Sequence, residues 1–133
     1  VAIKGGGAAH AREKVVAAAA DRFVVVADPS KVVDTLSHPV PLEVLPDAYA
    51  AVERAVATLD GEPTLRRADA KDGPVVTDNG HLVLDCDFGT IDEPAALEAA
   101  LSGLPGVVEH GLFVGLADEV HVGSEDGVTV REL

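Results

Sequence analysis

The order of predicted strands and helices along the chain indicates an α/β protein in two parts. Residues 1–27 read as strand, helix and strand, which is a βαβ unit. From Pro41 to Val114 the order is strand, helix, strand, strand, helix, strand, which is the split-βαβ, ferredoxin-like arrangement. We therefore expect a partial α/β domain, formed by residues 1–39 and 115–133, with a ferredoxin-like α+β domain of residues 40–114 inserted into it.

The elements of the first part are read from short stretches. VAIK at the first residues is typical of the middle of a strand, so we expect the chain to begin inside a domain. Ala8 to Arg22 is a predicted helix rich in alanine. FVVVA is a continuous apolar run, which predicts a strand buried on both faces of a parallel sheet, with a right-handed crossover leading to it. DPSK then forms a turn, and DEVHVG and GVTVREL are two short final strands around a Gly/Asp turn.

The second part begins at HPVPLEVLP, whose three prolines favour a linker or an edge strand over a central strand. Asp47 to Leu59 predicts a helix because its apolar residues recur at near-helical spacing, and PTLRRA predicts a strand. KDGP and DNG are turn signals. The strand after DNG alternates between two faces, and its apolar face consists of Leu82, Leu84, Cys86 and Phe88.

The last two elements of this part follow the same logic. Glu93-Pro94 begins a helix, since proline is favoured at the first helical position and acidic residues near the start. Leu97, Leu101 and Leu104 form part of the apolar stripe of this helix, and GVVEHGLFVG is the strand that follows.

An excess of acidic residues narrows the possible partners. The chain has 23 acidic and 10 basic residues, for a formal net charge of −13, and nucleic-acid binding needs a basic face instead. With its few lysines and its richness in Ala, Val and Gly, the composition resembles that of a halophilic protein, whose charges are screened by salt. The longest apolar stretch is broken by Asp21 and Arg22, which argues against a membrane span. The single cysteine, Cys86, fits a reducing, cytoplasmic compartment.

The stretch KGGGAAHAREK is the strongest candidate for a functional site. Lys4 follows a strand end, where open α/β sheets bind ligands, and Glu13 lies in the helix that begins after the three glycines. A cation, free backbone N–H groups and a carboxylate in one crevice suit proton abstraction next to a carbonyl. The stretch lacks P-loop spacing, and a plain tight turn is the alternative reading. Lys31, after the next strand end, either reaches the same crevice or is a solvated turn residue.

The histidines and the cysteine are weaker candidates. We expect His10 to be a surface residue of the first helical turn. His81, His110 and His121, with Asp85 and Asp87, are conceivable metal ligands, but their spacing matches no metal motif, and the DCD pattern fits the wet face of a half-buried strand better. Cys86 lies on the apolar face of that strand, which predicts a core residue rather than a nucleophile.

Five stretches occur in the order found in the ribose-5-phosphate isomerase A family: IKGGGAAHAREKVVA, FVVVADPSKVVDTL, PVPLEVLP, GPVVTDNGHLVLD and LPGVVEHGLF. The sequence resembles that family along essentially its whole length. The resemblance implies a Rossmann-like α/β domain with an inserted ferredoxin-like domain. It also implies an enzyme of pentose phosphate metabolism that interconverts ribose 5-phosphate and ribulose 5-phosphate through an enediol, without metal or organic cofactor.

The resemblance also assigns roles to particular residues. Lys4, Gly5, Gly6 and Gly7 would form the substrate-binding loop, Lys31 would bind substrate, and Glu13 would accept the proton. We therefore expect Glu13 and Lys4 to be catalytic, with a sugar phosphate as the partner and with neither nucleic acid nor membrane. A cytoplasmic homodimer or homotetramer is the assembly that the resemblance implies.

Two family features do not occur in this sequence. They are a glycine- and threonine-rich phosphate loop and an Asp-Gly-Ala-Asp-Glu motif, both of which precede the KGGG loop in the family. The chain therefore resembles the carboxyl-terminal three-fifths or so of the enzyme, and we expect a fragment with little activity of its own. The competing hypothesis is a non-catalytic, ferredoxin-like binding or regulatory module.

Overall fold

The computed structural model describes residues 1–133 and shows a mixed α/β protein. Three α-helices occur: α1 (His10–Ala19), α2 (Tyr49–Thr58) and α3 (Pro94–Ser102). The strands are β1 (Ala2–Ile3), β2 (Val24–Ala27), β3 (Val40–Val44), β4 (Glu62–Leu65), β5 (Leu82–Asp87), β6 (Val107–His110), β7 (Leu112–Phe113), β8 (Glu119–Ser124) and β9 (Gly127–Glu132). Short 3₁₀ turns cover Pro29–Lys31 and Pro46–Ala48. None of the α-helices combines the length and the hydropathy that a membrane crossing requires.

The largest sheet contains four antiparallel strands in the order β4-β5-β3-β6. Helix α2 contacts β4, and α3 contacts β6. The core between these helices and the sheet is built from small and medium apolar side chains, as expected of a chain with few aromatic residues. Its fully buried members are Val40, Leu42, Val44, Val52, Val56, Leu84, Cys86, Leu101 and Leu112.

The prediction that HPVPLEVLP forms a linker or an edge strand is wrong, because β3 is a central strand and is buried along its whole length. Pro41 is tolerated there because of where it lies. Its carbonyl accepts a hydrogen bond from Gly111 N–H at 2.8 Å, whereas the paired register with β6 begins only at the next residue, Leu42. A backbone N–H at Pro41 would face the Gly111 carbonyl oxygen, which instead accepts a hydrogen bond from Lys4 N–H at 2.8 Å, so the proline leaves no strand partner unsatisfied.

The expected βαβ unit is also wrong in its pairing. β1 pairs antiparallel with β7, whereas β2 pairs parallel with β8 in a separate sheet of order β2-β8-β9. β1 is only two residues long, and the next residue, Lys4, donates its N–H to the Gly111 carbonyl oxygen at 2.8 Å. The backbone hydrogen bonds of this short segment are therefore made with the β7 segment and not with β2. β2 is not buried on both faces, since it is an edge strand and Val26 is 79% exposed.

Helix α1 is shorter than the predicted Ala8 to Arg22. Ala8 has a φ of +59°, a left-handed conformation that stands outside a right-handed helix, and Ala20 is extended. One side of the helix, formed by His10, Ala11, Lys14 and Ala17, is buried, and the helix contacts β6. This packing fixes which residues of the first turn face the solvent, and Glu13 is one of them.

Candidate active site

Lys4 and Glu13 meet in the structure. Lys4 follows the carboxyl end of β1, and Glu13 lies in the first turn of α1. Lys4 Nζ is 3.5 Å from Glu13 Oε2, and the two side chains remain 33% and 44% exposed. The start of a helix favours a negative side chain, because the backbone dipoles leave positive charge there. A carboxylate and an ammonium group are thus held together at a position that a solute can reach.

The glycine loop between these two residues is shaped by Gly5. Gly5 has a φ of +111°, and a Cβ atom there would lie 2.7 Å from both His10 Nδ1 and the Cγ atom of Pro41. Only glycine fits this position without displacing its neighbours. Gly6 and Gly7 are exposed, and no atom lies within 4 Å of the place where their Cβ atoms would stand. The loop is therefore packed at its first glycine and open at the next two.

The structure does not bring Lys31 into contact with the other predicted site residues. Lys31 ends the 3₁₀ turn Pro29–Lys31, is exposed, and forms no ion pair or side-chain hydrogen bond. The turn is fixed by Asp28, whose carboxylate accepts a hydrogen bond from Ser30 N–H at 2.9 Å. The hydrogen bonds from Ser30 hold the pKa of Asp28 below its ordinary value.

Behind Glu13, a group of buried polar side chains anchors α1 to β6. Lys14 Nζ lies 2.6 Å from Glu109 Oε1 and 3.0 Å from His110 Nδ1. An ammonium group only donates, so His110 Nδ1 accepts, and Nε2 carries the proton that it shares with Ser102 Oγ at 2.9 Å. Burial, followed by the neighbouring Lys14 charge, lowers the pKa of His110 to about 4. His110 is therefore neutral at neutral pH.

The ring of Phe113 on β7 lies close to the ammonium groups of both Lys4 and Lys14. Its ring centroid is 5.9 Å from Lys4 Nζ and 5.2 Å from Lys14 Nζ, within the range of cation–π attraction. The side chain of Phe113 is almost completely buried. The aromatic ring thus connects the partly exposed lysine of the candidate site with the buried lysine that anchors the helix.

A second buried group explains the turn signal DNG. Glu43 of β3 has no exposed surface, and its Oε1 lies within hydrogen-bonding distance of Thr77 Oγ1, Asn79 Nδ2 and His81 Nδ1. Burial alone would raise the pKa of Glu43, but these hydrogen bonds outweigh it and hold the pKa below its ordinary value. Asn79 Oδ1 also accepts a 3.0 Å hydrogen bond from Arg12 Nε. The turn therefore ties the central strand to the residue that precedes Glu13.

A family model described as ribose 5-phosphate isomerase A (phosphoriboisomerase A) matches residues 1–127. The chain belongs to this family. A ribose-5-phosphate isomerase A from Haloarcula marismortui is 71% identical over 98% of the chain and 58% of the relative, and one from Halobacterium salinarum is 64% identical over 99% and 59%. Both relatives come from halophilic organisms, which agrees with the halophilic character expected from the acidic composition.

Solved isomerase structures have the same fold as this chain. The ribose 5-phosphate isomerase A of Methanocaldococcus jannaschii superimposes with a TM-score of 0.93 at 44% identity, covering 98% of this chain and 58% of that one. A D-ribose-5-phosphate isomerase in complex with phospho-erythronic acid gives a TM-score of 0.94 at 42% identity, with the same coverage. The chain therefore spans a little under three-fifths of the length of the isomerase A relatives that it matches.

One prediction about the site residues needs correction. His10 is not a surface residue: it is fully buried and its Nε2 lies 3.3 Å from the Glu109 carbonyl oxygen. The spacing of His10, Lys14 and Ala17 on one face of α1 is the signal that could have revealed this burial. The sequence analysis did not identify Lys14 as a buried residue, because a lysine is rarely buried unless it is paired. In the structure Lys14 is buried and is paired with Glu109.

The conceivable metal ligands do not converge. His81 pairs with Glu43, His110 with Lys14, and His121 Nε2 lies 2.8 Å from Glu119 Oε2, so each histidine belongs to a different contact. No group of three or more His, Cys, Asp or Glu residues has metal-binding geometry. Cys86 is fully buried in the core, as its strand alternation predicts, and burial raises the pKa of its thiol to about 12.

Proposed function

We propose that this chain carries the proton-transfer half of an isomerase site that interconverts ribose 5-phosphate and ribulose 5-phosphate. The observation that carries the proposal is the 3.5 Å contact between Lys4 and Glu13 at an exposed glycine loop, in a chain of the ribose-5-phosphate isomerase A family. A carboxylate beside a cation and an open glycine loop suits the enolisation of a carbonyl compound, because the carboxylate can accept the proton while the cation and the backbone N–H groups stabilise the oxyanion.

In the proposed reaction Glu13 removes the proton from C2 of the open-chain aldose. Negative charge then develops on the O1 oxygen, where the Lys4 ammonium group stabilises the enediolate. The same carboxyl group returns the proton to C1, while the O2 hydroxyl proton moves to O1, and the ketose results. Lys4, Gly5, Gly6 and Gly7 bind the sugar in this account. Lys31 is proposed as a further substrate-binding residue on the family relationship alone, since it contacts none of the other site residues in this chain.

We also propose the finer domain organisation. Residues 40–114 would form a ferredoxin-like domain inserted into a Rossmann-like domain of residues 1–39 and 115–133. The strand order β4-β5-β3-β6, with two helices in the connections, supports the first assignment. The parallel pair β2-β8 supports the second. A cytoplasmic homodimer or homotetramer acting in pentose phosphate metabolism is proposed on the family relationship alone.

The remaining two-fifths of the relatives' length would supply the main phosphate contacts, so the chain by itself should be nearly inactive. Binding energy from a remote phosphate positions the reacting carbons, and its loss lowers the rate as well as the affinity. The test uses a chimaera in which this chain replaces the matched region of the Haloarcula marismortui relative. We expect the chimaera to form ribulose 5-phosphate from ribose 5-phosphate, and the separate 133-residue chain to do so at a small fraction of that rate.

Lys4→Ala in the chimaera should weaken both substrate binding and turnover, because a cation on the enediolate oxygen also contacts the ground-state sugar. Lys71→Ala is the matched control, since Lys71 is exposed in a turn and forms no ion pair. A folded chimaera without isomerase activity, or a Lys4→Ala variant as active as the Lys71→Ala variant, would contradict the proposal.

A further inference from the structure

Arg66 holds the glycine loop from the side of the four-stranded sheet. Its Nη1 donates hydrogen bonds to the carbonyl oxygens of Gly5 at 2.8 Å and of Gly6 at 3.0 Å. No other side chain hydrogen-bonds to this loop. We propose that Arg66 is a positioning residue of the isomerase site, which orients two loop peptides so that their N–H groups face an anionic oxygen of the substrate. This inference rests on the proposed function.

The guanidinium group is itself rigidly placed. Arg66 Nε donates to Asp85 Oδ2 at 2.8 Å, and Nη2 donates to Asp85 Oδ1, so the carboxylate grips one edge of the fork. The backbone N–H of Arg66 continues the β4–β5 ladder by donating to Val83 at 2.9 Å. Only 18% of the Arg66 side chain is exposed, and solvent competes little with its hydrogen bonds. The free edge of the fork is thus aimed at the loop by the sheet.

The direction of the loop N–H groups follows from peptide geometry. In a trans peptide the C=O of one residue and the N–H of the next point in opposite directions, and the chain contains no cis peptide. Because the Gly5 and Gly6 carbonyls point at Arg66, the N–H groups of Gly6 and Gly7 point away from it. Neither N–H has an acceptor within the protein, and both residues are exposed. Two adjacent donors therefore face the solvent side of the loop.

This arrangement suits a developing negative charge. Successive free N–H groups form a concave site for anions, and donors fixed in advance need no reorganisation during the reaction. The cation behind the carbonyl oxygens polarises both peptides in the direction that strengthens their N–H groups as donors. Without Arg66 the two carbonyls lose their only side-chain partner, and the peptides are free to turn. Arg66 would then act on the enediolate through the loop and not by direct contact.

The first test measures the loop itself and does not depend on activity. The chimaera described above, labelled with ¹⁵N-glycine, is compared with its Arg66→Ala, Arg66→Lys and Arg67→Ala variants by ¹⁵N relaxation. We expect order parameters of about 0.85 for Gly6 and Gly7 in the parent and below about 0.6 in Arg66→Ala. Arg67→Ala removes the same charge from an exposed neighbour that does not contact the loop, and should match the parent. Equal order parameters in the parent and Arg66→Ala would overturn the positioning role.

The second test separates turnover from binding. Arg66→Ala should lower kcat at least about tenfold, since misplaced oxyanion donors cost mainly transition-state stabilisation, while KM changes by less than about threefold. Arg66→Lys should not restore kcat, because an ammonium group cannot grip Asp85 on two oxygens and also serve two carbonyls. A fall in thermal stability with kcat unchanged would show a structural role only and would overturn the inference. If the parent chimaera itself lacks activity, the proposed function fails, and the relaxation data alone decide whether Arg66 orders the loop.

Discussion

Mild acid should destabilise this protein through His110. The pKa of the buried imidazole is about 4, against 6.5 for a free histidine, so between these values the unfolded chain binds a proton that the folded chain does not. The stability that the neutral His110 contributes is therefore fully present above pH 6.5, and this contribution is lost as the pH falls toward 4. At pH 5 the two pKa values give a loss of about 2 kcal/mol, out of about 3 kcal/mol for the whole shift.

The ionisable groups near His110 either lower stability in the same pH range or titrate below it. Burial also lowers the pKa of His10, which adds to the loss in the same pH range. The carboxylates Glu43 and Glu109 have folded-state pKa values below their ordinary 4.5, so their contribution is lost only at lower pH. Burial of the imidazole is the main cause of the penalty for charging His110, and repulsion from the Lys14 ammonium group, whose Nζ lies 3.0 Å from His110 Nδ1, adds to it.

Urea unfolding followed by circular dichroism, in concentrated KCl at pH 7 and pH 5, measures this effect. His110→Gln is expected to be less stable than the parent at pH 7 but to lose about 2 kcal/mol less between the two pH values. His38→Gln is the matched control, since His38 is exposed, and it should behave as the parent does. If His110→Gln lost as much stability on acidification as the parent, the account of the buried imidazole would be refuted.

Two further predictions concern the loop and the surface. Gly5→Ala should lower the free energy of unfolding in urea by roughly 2–4 kcal/mol, because it combines a positive φ with a clash against His10. Gly6→Ala should change this free energy by less than about 1 kcal/mol. Equal losses for the two variants would contradict the loop geometry. The melting temperature should rise from low to multimolar KCl, since salt screens the net charge of −13, and an unchanged melting temperature would contradict the halophilic interpretation.

Local patterns predicted the elements of the fold better than their partners. The buried face with Leu84 and Cys86, the Glu93-Pro94 helix start and the DNG turn each appear in the structure where the sequence placed them. The predicted wet face of β5 is only partly wet, because Val83 on that face is fully buried. The expectation that proline occurs only in edge strands failed at β3. The sequence shows that Pro41 lacks an N–H, but it does not show which neighbouring strand that N–H would face. The pairing of β1 with β7 instead of β2 joins segments more than a hundred residues apart, which no local pattern encodes.

The candidate site shows the same division. The proximity of Lys4 and Glu13 follows from a strand end, a short loop and a helix start, all of which are visible in the sequence. Arg66 could not be found in that way, because it is 60 residues from the loop and reaches it only through the register of β4 on β5. Lys14 and His10 were missed because their burial depends on α1 packing against β6. Charged and polar residues are assigned to surfaces by default, and tertiary packing overrides that default here.

The most direct test of the central claim is the turnover of Glu13→Gln in the chimaera. Glutamine keeps the size of the side chain but cannot accept the C2 proton, so kcat should fall by about 10²–10⁴ while substrate affinity and fold are retained. Glu125→Gln, in the exposed turn between β8 and β9, removes the same charge and should leave the rate unchanged. A Glu13→Gln rate within about threefold of the parent, which is the small effect typical of a surface residue, would contradict the assignment of Glu13 as the base.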